Sequence, residues 1–176
     1  PARAMSLMLA PYPKAGEIPS FPAAAATFDP VMDLISTIRE IRHNCKTPPG
    51  EWVVVYVDLG EGAAAIRASA GLITKVGRLQ YLYYEKAPEE KRPLAFDSRA
   101  GFEVYIPITP AQAEAERARL AKEIAASEAS AKRAETKLAN PAFADRAPKD
   151  LVDSERRAAS DARARIARLQ KALTLL

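Results

Sequence analysis

Histidine and cysteine are almost missing from this sequence, one of each in 176 residues, and that scarcity removes several chemistries at once. Cys45 has no partner for an internal disulfide, and a lone thiol suits a reducing compartment, so a cytoplasmic location is expected. His43 and Cys45 without a second pair of ligands do not make a zinc site, and His43 reads instead as a helix-end residue facing solvent. A single histidine cannot supply a Ser-His-Asp or Cys-His set. Gly60-Glu61-Gly62 lacks the rest of a phosphate-binding loop and is expected to cap the helix that follows. Long apolar runs are absent too: Met5 to Leu9 is too short for a signal peptide or a membrane span. The chain opens on Pro1 without an initiator Met, which reads as a cut inside a longer protein. No catalytic residue, resident metal, cofactor or membrane contact is therefore expected of these residues.

Other absences are uneven along the chain. Beyond Thr109 there is no Gly, Trp or Tyr, and Ala, Glu, Lys, Arg and Leu dominate, the composition of long helices. Charge divides at the same place. Up to Ile108 there are 12 Lys and Arg against 12 Asp and Glu; from Thr109 on there are 14 against 10, so the net +4 lies wholly in the tail. A negatively charged partner is expected to meet the tail first. Two units follow from this, 1–108 and 109–176.

In the first unit a Pro-rich lead-in over 11–22 should run extended. Thr27 or Asp29 is placed to cap a helix with Pro30 in its first turn, and Val31, Leu34, Ile35, Ile38, Ile41 and Cys45 recur at helical spacing as its buried face. Pro48-Pro49-Gly50 should end it. Residues 51–57 (EWVVVYV) are rich in β-branched and aromatic side chains, as a buried strand should be. A second helix is expected over 63–76 with Gly77 as its C-cap, then a strand or extended segment over 79–84. After a charged loop at 85–92, residues 94–97 and 102–106 flank a turn at 98–101, a β-hairpin. The fold class is α+β.

The second unit carries a countable seam. Positions 113, 117, 120, 124, 127, 131, 134 and 138 step alternately by four and three, and so do 152, 155, 159, 162, 166, 169, 173 and 176. Asn140-Pro141 and Pro148 break the helix between the two runs. Folded back antiparallel, Leu138 meets Val152, Ala131 meets Ala159, Ile124 meets Ile166 and Leu120 meets Leu169 in constant register. The expected architecture is thus a small helix and strand unit followed by an antiparallel two-helix coiled-coil arm about 40 Å long at about 1.5 Å per residue. Because such a seam satisfies itself within one chain, a monomer is expected.

The connector also carries a resemblance. Lys137-Leu138-Ala139-Asn140-Pro141-Ala142-Phe143, then Arg146-Ala147-Pro148-Lys149-Asp150-Leu151-Val152, closely resembles the connector of the C-terminal coiled coil in valyl-tRNA synthetases, with Arg146 for the usual Lys and Leu151 for one Val. Leu9-Ala10-Pro11-Tyr12-Pro13 is similar to the family's exit from its anticodon-binding helix bundle, where Trp is commoner at Tyr12. Ile38-Arg39-Glu40-Ile41-Arg42 with Thr47-Pro48-Pro49-Gly50 resembles its I-R-x-I-R helix and P-P exit. The resemblance implies a parent enzyme that joins valine to its tRNA using ATP and edits misattached threonine, with those sites and the ATP-holding motifs upstream of this chain. It implies that residues 1–108 are the end of the anticodon-binding region with its small α+β unit, and that the arm leans on the tRNA elbow.

On that arm Lys132, Arg133 and Lys137 come near Arg156 and Arg157 in the antiparallel register, and these five are the expected tRNA contacts. A plainer role for part of the charge is also open: Glu128 to Lys132, Asp153 to Arg157 and Asp161 to Arg165 are i, i+4 pairs that would only solubilise a helix. A competing class is a non-enzymatic coiled-coil module for interaction or dimerisation.

Overall fold

A computed structural model describes residues 8, 12, 14, 16, 19–60, 63–87, 92–99, 101–141, 143 and 147–176. Most of the lead-in, Glu61 and Gly62, the loop at 88–91 and connector residues 142 and 144–146 lie outside that set. The architecture is α+β: a mixed four-stranded sheet and five helices among the described residues, α1 (Pro22–Asn44), β1 (Val53–Leu59), α2 (Ala64–Ala68), α3 (Ala70–Gly77), β2 (Leu79–Tyr83), β3 (Leu94–Arg99), β4 (Phe102–Pro107), α4 (Pro110–Leu138) and α5 (Lys149–Thr174).

The sheet order is β2-β1-β4-β3. The strand pair β1–β2 is parallel, joined by the α2–α3 crossover, while β1–β4 and β3–β4 are antiparallel. Strand alternation sends successive side chains to opposite faces. Val53, Val55, Val57, Val104 and Ile106 face Val31, Leu34, Ile35, Ile38 and Ile41 of α1, with Ile66 and Ile73 completing that core. On the other face Phe96 and Tyr105 meet Leu120 of α4 with Leu169 and Ala172 of α5. The sheet is thus covered by helices α1 to α3 on one side and, over β3 and β4, by the foot of the α4/α5 pair on the other.

Several boundaries differ from expectation. The first helix starts at Pro22, not after Thr27 or Asp29, and Pro30 lies inside it. Thr27 donates its hydroxyl to the Ala23 carbonyl at 2.9 Å, an interior helix contact instead of a cap. Residues 22–29 are all exposed, so this extension packs on nothing that hydrophobic spacing could register. The helix ends at Asn44, before the prolines, because Lys46 takes a left-handed conformation (φ 52) and Thr47 N–H bonds back to the Arg42 carbonyl. The second helix is broken at Ser69 into α2 and α3. Its left-handed terminator is Arg78 (φ 53), not Gly77. Gly77 serves a different need: a Cβ there would lie 3.0 Å from the Leu79 side chain.

Candidate nucleic-acid interface

The C-terminal helices run side by side in opposite directions, as the bonds across them show: Lys137 to Glu155 at 2.6 Å, Arg163 to Glu135 at 2.8 Å, Arg165 to Glu123 at 2.9 Å, and Arg117 to the Leu176 carbonyl. The fourth helix begins in a capping box, Thr109 accepting from Gln112 N–H while the Gln112 side chain accepts from Thr109 N–H. The fifth is capped by Pro148 in extended geometry, with Asp150 in its first turn where the helix dipole favours a carboxylate.

Burial follows the counted seam with two additions. Ala113, Leu120, Ser127, Ala131 and Ala134 are buried on α4, and Val152, Ala159 and Leu169 on α5. Two buried residues lie off the counted positions, Glu116, near Cys45 at the end of α1, and Ala172, in the cluster with Phe96, while Arg117 is exposed and bonds across to Leu176. The Glu116 carboxylate is tolerated because Arg119 clamps it with two bonds, 2.7 and 2.5 Å, while also reaching Glu123 at 2.8 Å. The Arg119 guanidinium is pushed to still stronger basicity by its hydrogen bonds to Glu116 and by the two carboxylate charges, against its own desolvation.

The foot is tied to the sheet by charge as well as by apolar contact. Arg168 lies 3.4 Å from Asp97 and Lys171 2.5 Å from Glu103, with the Lys171 ammonium 4.7 Å from the Phe96 ring centroid. Burial pushes the Glu103 carboxyl up, but the bonds from Lys171 and Tyr105 and the charges of Lys171 and Lys86 outweigh it and hold the group below its ordinary value.

Basic side chains are therefore used differently along the two helices. Near the sheet Arg119, Arg165, Arg168 and Lys171 are each in an ion pair. Farther out Lys132, Arg133, Lys149 and Arg157 are exposed and in no ion pair among the described residues; nearer the sheet Lys122 shares that condition. Of the five residues singled out from sequence, Lys137 is held by Glu155, and Arg156 is 3.5 Å from Asp153. Arg156 lines a groove with Glu135 and Leu138, whereas Arg157 lines a separate recess with Asp150, Asp153 and Ser154 of its own helix. Helical periodicity turns Arg133 and Arg157 outward, away from the seam. The i, i+4 pairs of the plainer reading do not form: Asp153 takes Arg156, and Arg165 crosses to Glu123. Lys149 was not singled out from sequence, although its place directly after Pro148 sets it at the outer end of the hairpin. Glu128 and Asp161 are also exposed, so the outer surface is mixed in sign.

Among the described residues no group of three or more His, Cys, Asp and Glu is arranged to hold a metal ion, and no helix is long and apolar enough to cross a membrane. Residues 113–176 match the family model described as the valyl tRNA synthetase tRNA binding arm. The chain is similar to the valine–tRNA ligase of Syntrophotalea carbinolica, 28% identical over 176 residues covering 98% of this chain and 20% of that protein. The enzyme of Legionella pneumophila is 30% identical over 159 residues, 86% of this chain and 17% of the relative; that of Stenotrophomonas maltophilia is 31% identical over 174 residues, 94% and 18%. The chain spans at most a fifth of the length of these relatives. With the arm matched and the likeness running along nearly the whole chain, this protein belongs with the C-terminal region of the valyl-tRNA synthetases.

Proposed function

We propose that this chain is the tRNA-binding C-terminal region of a valine–tRNA ligase, whose full-length form attaches valine to its tRNA with ATP bound elsewhere in the parent. The observation that carries the reading is that Lys132, Arg133, Lys149 and Arg157, exposed and in no ion pair among the described residues, lie on the segment that matches a tRNA binding arm. Unpaired cations are the ones free to replace counterions on phosphates. In this reading residues 109–176 form an antiparallel coiled-coil arm on a unit spanning 1–108. The arm rests on the tRNA elbow through Lys132, Arg133, Lys137, Arg156 and Arg157, with Lys149 added by the geometry. Lys137 and Arg156 would exchange an exposed carboxylate for a phosphate, a change that costs little at a surface. The chain acts as a monomer in the cytoplasm and holds no cofactor of its own.

The alternative, a dimerising coiled-coil module, is not favoured, because α4 and α5 cover each other's apolar stripe within one chain. Binding of the purified chain to several tRNAs, with its mass in solution measured by light scattering, tests the reading. Salt-sensitive binding by a monomer is expected; a stable dimer without affinity for tRNA would refute it.

A further inference from the structure

The outer face of the sheet is covered over β3 and β4 by the foot of the arm, but toward the other edge it carries tyrosines that nothing covers among the described residues. Register places Val54 beside Tyr81 and Tyr56 beside Tyr83 on that face. The Tyr56 and Tyr83 rings stack with centroids 5.1 Å apart and 19° between planes, and Tyr81 continues the stack at 6.0 Å and 25°. The inner end of this three-ring stack is anchored, since Tyr56 packs against the cluster beneath the arm. The outer end lies on β2, the edge strand. Exposure rises along it, from half-buried Tyr56 to 39% at Tyr83 and 54% at Tyr81. Neither the Tyr81 nor the Tyr83 hydroxyl makes a hydrogen bond among the described residues, so these rings are not there to satisfy a polar network.

A stack that ends open to solvent offers an apolar plane whose best-fitting occupant is another flat ring. Nucleic-acid bases extend such stacks with little regard to sequence, because every base has a π-face. Aromatic side chains on the uncovered face of a four-stranded sheet are a recurrent platform for unpaired RNA bases. Cations flank the edge. Arg78, exposed, sits where β2 begins, its carbonyl accepting from Val53 N–H, and Lys86, 82% exposed, follows the strand with only a 3.9 Å contact to Asp58. Along the chain one cation precedes and another follows the two tyrosines, with exposed Glu85 beside Lys86. The same face, through Tyr56, runs without a break into the contact with the arm.

We infer that Tyr81 and Tyr83 form a stacking site for unpaired RNA bases, a contact distinct from the phosphate-binding surface of the arm. The inference rests on the RNA-binding reading above and adds to it the kind of nucleotide held near the arm's foot. Stacking and phosphate contacts differ in salt response, and this separates the two. In the 176-residue chain, Tyr81→Leu should weaken binding of a short oligoadenylate about tenfold, given the usual worth of one aromatic–base stack, with an unchanged salt slope. Tyr81→Phe, which keeps the ring, should bind like the unaltered chain. Tyrosine fluorescence of the unaltered chain should be quenched as oligoadenylate is added, a readout needing no variant. Unchanged oligoadenylate affinity in a folded Tyr81→Leu chain overturns the stacking site, and so does an absence of quenching. If Arg133→Ala with Arg157→Ala at the same time weakens tRNA binding, the arm reading survives that loss. If the arm variant binds tRNA normally while Tyr81→Leu is impaired, the arm reading is the one that fails.

Discussion

Arg42 is 8% exposed and faces no carboxylate at bonding distance; its guanidinium donates instead to four main-chain carbonyls, those of Gly77 (3.0 Å), Arg78 (3.3 Å), Pro48 (3.2 Å) and Glu51 (2.9 Å). One side chain thereby fastens the end of α1, the turn before β1 and the left-handed turn before β2. Lysine has three donors on a point charge and no planar fork, so Arg42→Lys should still destabilise the chain, and Arg42→Met should cost on the order of 3 kcal/mol by stripping carbonyls of their partners. Thermal melting reads both, and a melting point unmoved by Arg42→Met would show that the clamp is idle. Cys45 is equally enclosed: burial, with Glu116 nearby, pushes its thiol up to about 12. It should resist alkylation at pH 8 in the folded chain and react once denatured, because the thiolate is the reactive form; rapid labelling under native conditions would contradict that. Glu103 has the opposite sense. Its folded value lies below the unfolded one, so the Lys171 anchor contributes stability above the unfolded carboxylate range near pH 4 and loses it as pH falls through the folded value. The foot of α5 should therefore be tighter in the unaltered chain than in Glu103→Gln at neutral pH, and acid titration should erase that difference; equal stability of the two at neutral pH would argue against the anchor.

Among the elements, α4 and α5 were the most legible from sequence because their burial repeats in register with the helix itself, and Leu120 does share a cluster with Leu169. What periodicity missed is instructive. It left out Glu116, buried near Cys45 at the end of α1, since hydrophobic stepping alone cannot see that Arg119 makes a buried carboxylate affordable. It missed the capping box at Thr109, although the T-x-x-Q spacing was there to read. The strands and the hairpin were legible from composition, but the order β2-β1-β4-β3 was not, because pairing depends on contacts distant in sequence. The tyrosine stack was invisible for the same reason: Tyr56 and Tyr83 become neighbours only through the parallel pairing of β1 with β2. The start of α1 was misplaced because residues 22–29 are exposed and carry no buried apolar stripe for helical spacing to reveal. The seam also yields a test of how separable the arm is. Ala131 is 6% exposed, so Ala131→Glu puts a charge where no partner waits and should lower helicity and splay the outer arm. If 1–108 is a unit of its own, protection of Val55 and Val57 amides from hydrogen exchange should persist; its loss with the arm would make the chain one cooperative body.

At the scale of the whole molecule the net +4 matters less than where it is left unpaired. Pairs at the foot tie α5 to the sheet, and Lys132, Arg133, Lys149 and Arg157 farther out are in no ion pair among the described residues. The candidate contacts were partly legible: Arg133 and Arg157 are exposed and unpaired among the described residues, whereas the engagement of Lys137 with Glu155 and of Arg156 with Asp153 depends on which neighbour the folded helices present. The most direct measurement is the salt dependence of tRNA affinity for the unaltered chain and for Arg133→Ala with Arg157→Ala, with circular dichroism confirming that both are folded. Each lost phosphate contact should lower affinity by about 1 kcal/mol and flatten the logarithmic slope by roughly one unit, to a similar degree for different tRNAs. A folded double variant with the affinity and salt slope of the unaltered chain would contradict the assignment of this surface to tRNA.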